Sequence, residues 1–340
     1  MGDWITPSFL LLCLSRLCSF DGTRYHQLLG FLAPLQYLVR MFISLHSTMT
    51  SVQRMQAYSK LDQEESPTLP SDQKLPVQWP LQGAICFDCA TLRYREDLEP
   101  VLRDIKFRVE PGTKVGIVGR TGAGKSSLLQ ALFRLIECDR DSSIFIDSSS
   151  TSQIGLNTLR KAISIIPQSP FIFEGTVREN MDPFREYSDE EVWEALADVQ
   201  LARVVKAFKY ELAEPISEGA AAFSVGQKQL VCLARAILRK NRILVLDEAT
   251  ANVDIETDAL IQESIKRKFA ECTILTVAHR LDTIIESDKI LVLKEGRVVE
   301  YDEPHKLLEK EEGDFKEMVE ATGVKKAELL REAAFRAKRP

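Results

Sequence analysis

The chain has 340 residues, 45% hydrophobic and 28% charged, with a net charge of −6 and a pI near 5.5. That balance speaks against both a disordered polymer and a polytopic membrane protein, and it fits a soluble α/β chain. The acidic charge also argues against a nucleic-acid partner, because neutralising phosphates needs a clustered basic surface.

The first 76 residues differ from the rest. Residues 9–14 and 28–45 are apolar, and a Pro/Ser/Glu/Gln-rich stretch over 62–76 reads as a linker. A membrane span needs about 20 uninterrupted apolar residues, and Pro34 and Arg40 interrupt the second run. Residues 1–76 therefore read as the remnant of a last membrane helix plus linker. A secretory leader does not fit, since Asp3 stands where its positive region would be. Seven cysteines are scattered without framework spacing, which suits a reducing compartment. Cys86 and Cys89 form a C-x-x-C inside a predicted strand, where residues three apart face opposite ways, and no second such pair completes a metal site.

From residue 77 short apolar runs alternate with longer amphipathic ones, the pattern of a parallel sheet flanked by helices. Strands are predicted over 84–89, 114–118, 163–167, 243–247, 274–278, 289–293 and 297–300. Between 182 and 239 the pattern is almost wholly helical, with Ser188 and Glu191 set as a capping box. A mixed-charge helical stretch follows from residue 303, and residues 321–340 read as a charged, solvated helical tail.

The strand at 114–118 runs into Gly119-Arg120-Thr121-Gly122-Ala123-Gly124-Lys125-Ser126, which satisfies G-x-x-x-x-G-K-[ST] and precedes a helical pattern. Glycines let the backbone wrap an anion so that consecutive N–H groups and a helix N-terminus face it. Lys125 adds a charge and Ser126 a metal-binding hydroxyl. Downstream, four apolar residues at 243–246 end in Asp247 and Glu248, as a buried parallel strand ends at a charged active-site edge. Asp247 suits a Mg²⁺ shell, and Glu248, one residue on, suits a general base. Taken alone, a strand ending in two solvated acids would be unremarkable.

Between these motifs, Phe223-Ser224-Val225-Gly226-Gln227 precedes a predicted helix and resembles the L-S-G-G-Q signature of ATP-binding-cassette (ABC) proteins. The resemblance covers 77–320. It implies an α/β P-loop NTPase core with a mostly parallel sheet, an antiparallel β subdomain and an inserted α-helical signature subdomain at about 182–239. It further implies ATP and Mg²⁺ as ligands, with residues Gly119 to Ser126 and Ser127 around the phosphates and Tyr94 stacked on adenine. Ser126, Gln168 and Asp247 would hold the metal, and Glu248, His279, Gln168 and Lys125 would carry catalysis. Residues 223–227 would serve an ATP held by a partner domain, and Asp254, closing Thr250-Ala251-Asn252-Val253-Asp254, would lie in the D-loop at the dimer interface. Tyr94, Gln168, Asp254 and His279 are each ordinary residues in isolation, and their order along the chain gives them weight.

The phrases S-I-I-P-Q-S-P at 164–170, E-G-T-V-R-E-N at 174–180 and D-P-F at 182–184 are similar to the second nucleotide-binding domain of class C multidrug-resistance-associated transporters. That likeness implies a partner nucleotide-binding domain, transmembrane domains, a place on the cytoplasmic face of a membrane and export of amphipathic or organic-anion substrates. Phe223 replaces the usual leucine of the signature, at a position expected to face the core. Six membrane helices, at about 20 residues each, find no room here, so the chain reads as a fragment of a full transporter. A soluble cassette acting as an ATP-gated clamp, or an ATP-binding fragment with little turnover alone, are the other readings. Acidic charge and the apolar upstream segment weigh against the clamp.

Overall fold

The computed structural model describes residues 22–337, apart from 62, 77, 96, 140–141, 217–222, 249–252 and 279. The chain separates into two units, Met1–Glu64 and Glu65–Pro340.

In the first unit, helix α1 (Gly22–Ser59) runs for 38 residues with Pro34 inside it. Phe31, Phe42 and Ile43 are among its exposed apolar side chains, and Leu29–Ser59 is long and apolar enough to cross a membrane by length and composition. Pro34 and Arg40 therefore do not divide this segment as the sequence suggested. A proline removes one backbone donor, and the turns on either side carry the helix through.

The second unit opens with an antiparallel sheet. Strands β1 (Ile85–Leu92) and β2 (Leu102–Val109) pair, and β3 (Lys114–Gly119) then enters a different sheet. Helix α2 (Lys125–Leu132) follows, then β4 (Ser143–Ile146) and β5 (Ser149–Ser150), which return to give the order β2-β1-β4-β5. Next come α3 (Leu156–Ala162), β6 (Ile163–Ile166), β7 (Gly175–Thr176) and α4 (Val177–Met181). The helical insert contains α5 (Asp189–Asp198), α6 (Ala202–Lys206), β8 (Pro215–Ile216) paired with β7, and α7 (Val225–Arg239). The chain continues through β9 (Ile243–Asp247), α8 (Ile255–Lys268), β10 (Thr273–Val277), β11 (Lys289–Lys294) and β12 (Arg297–Asp302). Three short helices close it, α9 (Pro304–Glu309), α10 (Asp314–Glu320) and α11 (Val324–Ala337).

The main sheet has the order β12-β11-β3-β10-β9-β6, parallel except at the β11/β12 edge. Helices cover both of its faces, so its inner strands are buried on two sides; β9 and β11 accordingly show unbroken buried runs rather than alternation. One core cluster joins the two sheets through Phe87, Leu102, Ile117 and Leu128. A second packs the helical insert on the main sheet through Val192, Phe223, Leu233 and Leu244. This is the α/β P-loop arrangement with its antiparallel and helical additions.

Two expectations need correction. Part of the stretch taken as a linker is packed on the second unit: the Asp72 carboxylate accepts from Gly155 N at 2.8 Å, Leu69 N at 3.0 Å and Thr158 Oγ1 at 3.0 Å. Burial opposes the charge on Asp72, but these donors hold its carboxyl below the ordinary value. Glu65 pairs with Arg134, whose side chain is only 4% exposed. A polar composition hides such a strap, because its attachment runs through side-chain acceptors and not through apolar burial. The charged tail is likewise docked: Ala327, Leu330 and Ala334 of α11 enter a third core with Ile284, Leu307 and Phe315. Lys326 reaches Asp282 at 2.9 Å. The small buried residues recur at helical spacing among charges that face outward.

Candidate functional site

The motif residues collect at the C-terminal ends of the parallel strands, where an open α/β sheet forms its crevice. Gly119 ends β3, and the turn through Arg120, Thr121 and Gly122 leads to Ala123, whose N–H donates to Arg120 O at 3.0 Å. Gly124 caps α2 with φ +102°, a conformation open to glycine, and a Cβ there would sit 2.8 Å from Leu102 Cδ2. Because the N-cap is glycine, no N-cap side chain accepts from the first turn of α2. The N–H groups at that helix end, at Lys125 and Ser126, need an outside acceptor, and the dipole favours an anion.

Lys125 is buried, and its ammonium donates to Gly119 O at 2.8 Å and Arg120 O at 3.4 Å, folding back over its own loop. Burial pushes its proton affinity below the ordinary lysine value, against the opposing pull of Glu248 and then Asp247. Asp247, which ends β9, and Glu248, the next residue, thus share the edge of the sheet with the lysine of the phosphate loop.

That proximity follows from topology. β3 and β9 both pair with β10 in parallel, Val277 lying beside Ile117 on one side and Asp247 on the other. Glu248 adopts φ +49°, and its N–H donates to Val277 O at 3.0 Å, so a turn in the left-handed region sends its side chain away from the line of the strand. Gln168, just beyond β6, donates from Nε2 to Glu248 Oε2 at 2.8 Å. Ala278 N donates to Ile117 O at 3.2 Å and fixes the end of β10. His279, the next residue, lies outside the described residues, as do Thr250, Ala251 and Asn252.

The Ser126 hydroxyl, the Asp247 carboxylate and the Gln168 amide oxygen, each just beyond or at the C-terminal end of β3, β9 and β6, are hard oxygen donors, the kind Mg²⁺ prefers. Ser126 is exposed and Asp247 half-buried, so a partly hydrated ion suits them. The set fits the metal that the motif implies.

The signature segment is built as a helix start. Ser224 caps α7: its Oγ accepts from Gln227 N at 3.2 Å, and Gln227 Oε1 accepts from Ser224 N at 2.9 Å. The hydroxyl proton of Ser224 remains to be donated elsewhere. Phe223 is buried edge-on against Phe208 with ring centroids 5.6 Å apart, as expected for a core-facing position, whereas Val225 is exposed. Gly226 lies close to the cap of α8: a Cβ there would come within 3.3 Å of Asp254 Oδ1. Asp254 accepts from Thr257 N at 3.1 Å and so caps α8 beside Gly226.

Two polar residues, Gln229 and Gln130, escaped the motif reading. Gln229, buried on α7, donates to Pro167 O at 2.9 Å and ties the signature helix to the segment that carries Gln168. Its signal was a polar residue on the apolar face of a helix. Tyr94 follows β1, and its hydroxyl meets Ser127 Oγ and Gln130 Oε1 on α2. Nothing in the phosphate-loop motif marks Gln130. A cavity of about 850 Å³ lies elsewhere, lined by Trp79, Arg242, Lys268 and Glu271 at the N-terminal ends of β9 and β10, far from these groups in the sheet. Chemistry and not volume picks out the site.

Residues 102–251 match the family model described as ABC transporter. The chain is 52% identical over 300 residues to the probable multidrug resistance-associated protein lethal(2)03659 of Drosophila melanogaster, covering 87% of this chain and 22% of that protein. It is 50% identical over 299 residues to ATP-binding cassette sub-family C member 4 of Homo sapiens, covering 88% of this chain and 22% of that one. Among solved structures, a bacterial Atm1-family ABC exporter with ATP bound superposes with a TM-score of 0.72 at 28% identity, over 82% of this chain and 48% of the exporter chain. The chain thus spans about a fifth of the length of these curated relatives.

Proposed function

The chain carries an ABC transporter nucleotide-binding domain of the class C, multidrug-resistance-associated branch, and from that premise we propose that it binds and hydrolyses Mg·ATP to drive export of amphipathic or organic-anion substrates. The observation that carries this reading is the convergence at one sheet edge: a buried ammonium in a glycine-wrapped loop after β3, with Asp247 ending β9 one strand further across β10 and Gln168 bonded to Glu248 beside it. An ammonium so placed is completed by phosphate oxygens.

In this reading the amides of 119–126 and the start of α2 bind the β- and γ-phosphates, and Lys125 shifts its donors from Gly119 O to phosphate. Ser126, Asp247 and Gln168 would hold Mg²⁺, which when bound would neutralise phosphate charge. Glu248 accepts a proton from the attacking water, and Gln168, bonded to its carboxylate, orients it. His279 contacts the γ-phosphate. Ser224 and the start of α7 donate to ATP held by a second nucleotide-binding domain, and Asp254 lies at that dimer interface. The chain corresponds to the second cassette of its transporter, which supplies the intact phosphate loop and the glutamate. Helix α1 belongs to the membrane part, and the cassette lies on the cytoplasmic face.

Glu248→Gln tests the reading. Its amide still accepts from Gln168, so the geometry persists while the base is lost. Turnover in the presence of a partner cassette should fall by about 10²- to 10⁴-fold, with ATP affinity retained. Hydrolysis within a fewfold of the parent would exclude Glu248 as the base.

A further inference from the structure

Tyr94 is half-exposed, yet its phenol is fastened at the tip. The O–H donates to Gln130 Oε1 at 2.7 Å, and Ser127 Oγ lies 3.0 Å from the same oxygen. A phenol has one proton to give, so with that proton on the amide carbonyl, Ser127 is the donor of the second bond. Both partners stand on one face of α2, three residues apart. Ser127 is buried and Gln130 half-buried, so neither side chain is free to wander. Helix α2 is also the element whose first turn presents Lys125 and Ser126.

We infer that Gln130, acting with Ser127, is the positioning residue for the ring that stacks on adenine. It fixes Tyr94 relative to the phosphate loop, so that a single rigid helix registers both ends of the nucleotide. The inference rests on the reading of this chain as an ATP-binding cassette, and it assigns a role to a residue outside the motif. Its consequence is selective: Gln130 should matter for ligands that carry a base and not for a bare polyphosphate. A Tyr94 ring released from its clamp must be ordered each time a base binds, whereas phosphate contacts at the start of α2 stay as they were.

The full chain in detergent can be titrated with Mg·ATP and, separately, with inorganic tripolyphosphate. Gln130→Leu keeps a good helix former and removes the acceptor. ATP affinity should fall about fivefold, the size of one net hydrogen bond, with tripolyphosphate affinity unchanged. Gln130→Glu, which retains an acceptor, should restore ATP affinity. Tyr94→Phe, which loses the bonds to Gln130 and Ser127 together, should lose at least as much ATP affinity as Gln130→Leu, and the double variant should be no weaker than Tyr94→Phe alone, because the Gln130 bond is already gone there. Equal losses for the two ligands would make Gln130 a support of the helix and overturn the inference, as would unchanged ATP affinity in Gln130→Leu or additive losses in the double variant. A parent chain that binds neither ligand would overturn the ATP-binding reading itself, and this inference with it.

Discussion

Replacing Lys125 by methionine removes the ammonium and keeps the length of the side chain. In the unliganded chain the change is nearly balanced. Two hydrogen bonds, to Gly119 O and Arg120 O, disappear, but so does the penalty of holding a cation in a buried place. Folding stability should therefore move by less than about 1 kcal/mol. With nucleotide the balance is lost, because the ammonium would make charge-assisted bonds to phosphate worth about 1.5–3 kcal/mol. Affinity for Mg·ATP should fall by about 10- to 150-fold, as read by calorimetric titration of the full chain. The effect has a pH signature. Lys125 has its proton affinity lowered in the folded chain, so between that lowered value and the ordinary lysine value the unfolded state binds more protons, and stability rises with pH across this window. ATP favours the charged form, so affinity should decline as pH rises through the same window in the parent and not in Lys125→Met. Unchanged affinity in the variant would refute the role of Lys125, and so would a loss matched by an equal loss of stability.

Arg134→Met should destabilise the second unit by about 2 kcal/mol in urea unfolding, because the Thr151 and Ile154 carbonyls, 2.8 and 3.1 Å from Nη1, lose their buried donor. Glu65→Gln, at the half-exposed end of that ion pair, should cost less than about 1 kcal/mol; equal effects would show that the carbonyls do not matter. Cys138 gives a second pH test, since burial first, then Glu137 and Asp139, push its thiol up to about 11. At pH 8 its thiolate fraction should be about a hundredfold below that of an ordinary cysteine thiol, and iodoacetamide labelling followed by mass spectrometry should find it slow. Because the folded value is raised from 9.0 to about 11, its contribution to stability is fully present below 9.0 and lost as pH rises through about 11. Fast labelling at pH 8 would contradict the assigned burial.

The central strands and the phosphate loop were legible because each rests on a local requirement. Ile243 to Leu246 are apolar without a break because β9 is buried on both faces, and the Gly-Lys-Ser spacing is imposed by the turn into α2. β2 escaped prediction for an equally local reason. Asp104 adopts φ +49° and shifts the register with β1, so Leu102, Ile105 and Phe107 face inward at a spacing that is not two. β4 is only four residues long. The packed strap at Glu65 and Asp72 is invisible to a hydrophobicity pattern, because its partners, Arg134, Gly155 and Thr158, lie far along the chain. Within the candidate site, identity and order along the chain singled out Lys125, Asp247, Glu248 and Gln168, which stand at the C-terminal ends of parallel strands. The bond between Gln168 and Glu248 and the clamp on Tyr94 needed coordinates, since each joins residues on separate elements.

The most direct test of the whole reading is a structure of Glu248→Gln in the full chain with Mg·ATP. The triphosphate is expected against the backbone amides of residues 119–126, with Lys125 on its phosphate oxygens and Asp247 in the metal's shell. Phosphates bound anywhere else, or an Asp247 carboxylate turned away from the ion, would contradict it.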